Sequence, residues 1–70
     1  MYDFKMLKLK IKEVFDTQEA FARAMNMSYS ALNLRLNNKV QWKPVEIEKA
    51  CILLGIPLAK IPVYFFTQKV

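Results

Sequence analysis

TQEAFARAMNMSYSALNLRLNNK, residues 17–39, reads as two short helices joined by a tight turn at Met25-Asn26-Met27-Ser28. Thr17 is placed to cap the first of them by accepting from an exposed backbone N–H, and Glu19 in the first turn complements the helix dipole. Phe21 and Met25 face inward, and the small Ala22 leaves room for another helix to approach. Asn26 stands where the first helix must stop, a position that often needs the left-handed backbone asparagine tolerates. Ser28 then caps a helix running to about Leu36, with Leu32 and Leu36 on its inner side. Asn37-Asn38-Lys39 closes it.

The rest of the chain must supply the core on which this pair rests. Asp3 can cap a first helix ending near Phe15, in which Phe4, Leu7, Ile11, Val14 and Phe15 follow helical spacing. Val40–Lys43 is a loop, with Trp42 over an edge of the core. Pro44 suits the first turn of a fourth helix and Gly55 the cap beyond its end. Ile47, Ala50, Cys51 and Leu54 make the buried stripe between them. Ile56–Pro62 leaves space for at most one more helical turn, and the aromatic, β-branched Val63–Thr67 suits an extended segment. The expectation is one all-α domain, residues 1–70, of four to five helices, with the helix-turn-helix at about 17–37 and an extended aromatic tail at about 61–70. Seventy residues lie near the lower limit for a core without staples, so every element must share one core.

Composition narrows the function. One cysteine excludes an internal disulfide, and with no histidine there is no Cys/His set for a metal; Cys51 reads as core packing and no cofactor is expected. No apolar run approaches the roughly 20 residues that span a bilayer, and no leader pattern precedes a cleavage site, so residence in the bacterial cytoplasm is expected. There is no Gly-rich phosphate loop and no nucleophile beside a base, so an enzyme is not expected. Eleven basic against six acidic residues give a net charge of +5, which favours an anionic partner.

Residues 17–39 resemble the helix-turn-helix of phage repressors and Cro proteins, a lambda-repressor-like arrangement, in Thr17-Gln18, Ala22, Asn26 and Asn37-Asn38-Lys39. The likeness extends to small regulators of Gram-positive phages and prophages through TQEAFA, Ser28-x-Ser30-x-Leu32, RLNNK, EIEKAC, LLGIP and IPVYFF. It implies operator DNA as a partner, bound by a homodimer. By that resemblance Gln18 holds a phosphate, and Tyr29, Ser30, Asn33 and Leu34 lie on the reading face of the third helix. Asparagine can pair with adenine and leucine can touch a thymine methyl. Lys39 and Lys43 flank the groove as phosphate clamps. Arg35 is open to two readings, a phosphate contact or an internal pair with a carboxylate such as Glu48.

Departures from that pattern point elsewhere. Leu34 stands where a long polar or basic residue is usual, and Met6, Leu9 and Ile52 are apolar where the pattern is polar or glycine. Several such residues on a small surface favour a protein interface. The alternative function is therefore an antirepressor or modulator of repression that binds a phage repressor, with Leu34, Met6, Leu9, Tyr64, Phe65 and Phe66 as candidate interface residues.

Overall fold

A computed structural model describes all residues from Met1 to Val70. The chain is all-helical: α1 (Lys5–Phe15), α2 (Gln18–Ala24), α3 (Tyr29–Leu36), α4 (Pro44–Leu54), a 3-10 turn at Leu58–Lys60 and α5 (Ile61–Phe65). No helix is long and apolar enough to cross a membrane.

The turns between helices depend on backbone conformations that most residues avoid. With one glycine in the chain, three of the four positive-φ positions fall to Asp16, Asn26 and Asn38, the residue types that tolerate left-handed geometry best. Thr17 and Ser28 cap α2 and α3, their hydroxyls accepting from Ala20 N–H at 3.1 Å and Ala31 N–H at 3.0 Å. At the end of α2 the Met27 N–H donates to the Ala22 carbonyl and the Asn26 N–H to that of Arg23, both at 3.0 Å. The same pair of bonds ends α3, from Lys39 to Leu34 at 2.8 Å and from Asn38 to Arg35 at 3.3 Å. Both are Schellman closures around an asparagine. Gly55, at φ +67°, ends α4 in the same left-handed region.

One core of 14 apolar residues draws on α1 through α5, and Phe21, Phe65, Leu7, Ile11 and Leu32 are its largest fully buried members. No polar side chain is buried in it. Cys51 is buried, and that burial raises its thiol above the ordinary value. Phe15 packs against Phe21 at 5.4 Å between ring centroids.

Three details differ from the sequence reading. Val14 is exposed, because the buried stripe of α1 is narrower than its apolar pattern and runs through Phe4, Leu7 and Ile11. Asp3 does not begin the helix but braces its first turn, with Lys5 N–H donating to its carboxylate at 2.9 Å. The aromatic tail is helical over Ile61–Phe65, with Pro62 in the first turn, where its missing N–H costs nothing. Only its end lies alongside the N-terminus, where Tyr2 and Gln68 form an antiparallel bridge. The Asp3 N–H donates to Thr67 and the Lys69 N–H to Met1, at 2.8 and 3.0 Å.

Candidate functional site

The α2 turn fixes α3 with its inner residues Leu32 and Leu36 in the core, which leaves the opposite face to solvent. On that face Ser30, Asn33, Leu34, Asn37 and Lys39 line a shallow concavity of about 420 Å³. Leu34, 45% exposed, is the one apolar side chain in its lining. Gln18 at the head of α2, Tyr29 at the head of α3 and Lys43 before α4 lie outside this concavity. Four of the seven residues expected to contact DNA are thus brought together.

Their chemistry is more committed than the sequence suggests. The Asn37 carboxamide donates to both the carboxamide oxygen of Asn33 and, at 2.8 Å, its backbone carbonyl. Asn33 therefore presents an oxygen already holding a donor, which competes with bidentate adenine reading. Arg35 is the one base within α3, and it is not free. Its Nε and Nη2 donate to the two carboxylate oxygens of Glu46 at 2.9 Å each, and Nη1 donates to the Ala31 carbonyl at 2.8 Å. The internal partner is Glu46 rather than Glu48: Glu48 is exposed on α4, while Glu46 sits in its first turn facing α3.

Glu46 holds two things at once. Besides Arg35 it accepts the backbone N–H of Lys43 at 2.9 Å, closing one half of a capping box whose other half lysine, lacking an acceptor, cannot make. The α3 helix, the start of α4 and the base of Lys43 are thereby tied together. The hydrogen bond from Arg35 holds the Glu46 carboxyl below the ordinary glutamate range, against the opposing effect of burial. A carboxylate whose folded pKa is depressed stabilises the fold above its unfolded pKa of about 4.3, and that contribution fades as pH falls toward the folded value. Glu46→Gln should cost about 1 to 3 kcal/mol at neutral pH, because Arg35 loses a charged partner. The gap between variant and wild type should narrow below pH about 4. Thermal melts across that range check this, and a gap independent of pH would remove the ion pair as its cause.

The tail was expected to offer Tyr64, Phe65 and Phe66 to a partner. Phe65 is instead 1% exposed, because α5 turns it into the core, where it meets Trp42 edge to face at 5.2 Å. Tyr64 is half-buried and Phe66 remains exposed. Met6, Leu9 and Ile52 are exposed as expected. Beside Phe66 lies a second concavity of about 340 Å³, bounded by the N-terminus, the tail and the loop after α3, with Tyr2, Phe4, Val40, Trp42, Phe65 and Phe66 in its lining. Asn38 clamps it from one side: its carboxamide oxygen accepts the Tyr2 N–H at 3.0 Å and its nitrogen donates to the Tyr2 carbonyl at 2.9 Å. This clamp carries no signal in the sequence, since it joins residues 36 apart. The Trp42 indole N–H is buried with no acceptor.

A family model described as a protein of unknown function, DUF739, matches residues 1–68. The chain belongs to the DUF739 family. Among solved structures, this family member is similar to the modulator of repression (MOR) of the temperate bacteriophage TP901-1 from Lactococcus lactis, determined in solution. The two are 46% identical, and the match covers 99% of this chain and 93% of that one with a TM-score of 0.85. No curated protein matches the chain. The likeness is to a phage regulator, as the sequence resemblance implies, but to a modulator of repression where that resemblance pointed to Cro and repressor proteins.

Proposed function

We propose that this protein is a phage modulator of repression that acts by binding a phage repressor, using the α3 face around Leu34, rather than by reading operator bases itself. The observation that carries this reading is the state of that face. Leu34 is its one apolar lining residue and is exposed, the Asn33 carboxamide oxygen accepts from Asn37, and the one cation of α3 is bound to Glu46. Phosphate contacts draw on free cations, and α3 has none, whereas an exposed apolar side chain among polar neighbours suits a protein contact. The 46% identity to the TP901-1 modulator supports the same reading. On this account the protein binds and does not catalyse, and it works where the repressor works, in the bacterial cytoplasm.

The test is a gel-shift titration on the DNA flanking its gene, with and without the repressor encoded beside it. The expected result is no shift by the protein alone and a changed repressor–operator band when both are present. A sequence-specific shift by the protein alone would favour direct operator binding.

That second reading has its own support in the net charge of +5 and in Lys39 and Lys43, both exposed beside α3. If DNA is touched, these lysines hold phosphates and carry no sequence preference. Lys39→Ala would then weaken binding to operator and random DNA alike and reduce the log–log salt slope by about one unit. Filter binding at several salt concentrations measures this, and an unchanged slope would exclude a Lys39 phosphate contact.

A further inference from the structure

The groove between the two termini and the loop after α3 is not used by the function proposed above. Its floor and walls are aromatic and aliphatic, and its volume of about 340 Å³ falls at the small end of ligand sites, enough for one large side chain. Phe66, on its rim, is 46% exposed while stacked edge to face on Tyr2 at 5.5 Å. Trp42 contributes a buried indole N–H that no group in the chain accepts. An apolar lining with an exposed aromatic rim suits an apolar side chain from a partner.

Charge says what kind of segment brings it. The stretches that build the groove and its border, residues 1–4, 38–43 and 65–70, contain Lys39, Lys43 and Lys69 and one acid, Asp3. The Asp3 carboxylate already accepts from the Lys5 N–H at 2.9 Å. The groove also meets the α3 concavity at consecutive residues, Asn38 lining one and Lys39 the other, so one partner can cover both. Phosphate has no use for an apolar floor, which favours a polypeptide over a nucleic acid.

We propose that the groove is a second docking subsite, receiving an apolar side chain from an acidic segment of the partner repressor against the Trp42 and Phe66 rings. This rests on the repressor-binding reading.

Trp42 is the sole tryptophan, so the full-length protein grown with 5-fluorotryptophan reports on the groove through a single fluorine resonance. Titration with the purified repressor should move that resonance, and Phe66→Glu should raise the dissociation constant at least tenfold while its circular dichroism spectrum and melting temperature stay at wild-type values. If Phe66→Glu does not fold, Val40→Glu serves the same comparison at another rim position. Repressor binding with an unmoved resonance and no loss in the rim variant would overturn the subsite and leave the repressor reading standing. Failure of the wild-type protein to bind repressor at all would overturn both. A resonance that moves with operator DNA and not with repressor would assign the groove to nucleic acid and overturn the proposal.

Discussion

Replacing Leu32 by alanine should unfold a large part of the population at 37 °C. Leu32 is fully buried in α3, and removing its side chain forfeits transfer free energy and leaves a cavity, together about 2 to 5 kcal/mol. A chain of 70 residues has a total stability of roughly 4 to 10 kcal/mol, so the loss is a large share of the whole. At about 4 to 8 °C per kcal/mol for a domain of this size, the melting midpoint should fall by at least about 10 °C. The site cannot relax cheaply, because α3 is held at both ends, by the Ser28 cap and the Asn38 closure, and in between by Arg35 on Glu46. Thermal denaturation followed by circular dichroism measures the effect. A melting temperature within a few degrees of wild type would mean that the inner face of α3 is not the one described.

Leu34→Arg, two positions along the same helix, should leave stability almost untouched and abolish function. Leu34 is nearly half exposed and belongs to no buried cluster, so the change to the fold should stay within about 0.5 kcal/mol. At the repressor contact the same change puts a guanidinium into the apolar contact made by Leu34, where no acid of this chain can pair with it, because Glu46 is taken by Arg35 and the concavity holds none. An unpaired buried charge costs about 3 kcal/mol or more, equivalent to at least about a hundredfold in affinity. Arginine also supplies the free cation that α3 lacks, so affinity for DNA should rise. Calorimetry against the repressor and gel shift on operator DNA read the two effects. Unchanged affinity in both would remove Leu34 from the interface; a loss of operator binding alone would make it a base-reading residue.

These two leucines show which parts of the molecule can be read from sequence. Helix ends were legible where the signal is local: Thr17, Ser28, Asn26, Pro44 and Gly55 each act on their own few residues, and each stands where its chemistry places it. The inner faces of α3 and α4 followed from spacing for the same reason. The tail misled because aromatic and β-branched composition favours extended backbone only when packing does not decide otherwise. Here burial of Phe65 against Trp42 decides, and it draws Ile61–Phe65 into a helix. Arg35 was open to an internal partner, but Glu46 and Glu48 lie two residues apart, and only the placement of α3 against the start of α4 distinguishes them. Of the bonds that most change the functional reading, Asn37 to Asn33 joins an i, i+4 pair on one helix face, while Arg35 to Glu46 joins two helices and depends on how they are placed. They occupy the carboxamide oxygen of Asn33 and the one cation of α3.

The central claim is that the α3 face meets a protein. Its most direct test is calorimetric titration of the purified neighbouring repressor into this protein without DNA, with operator DNA titrated separately in the same buffer. The account predicts saturable repressor binding and operator binding no tighter than to random DNA of equal length. Heat of binding from the operator alone, with none from the repressor, would contradict it.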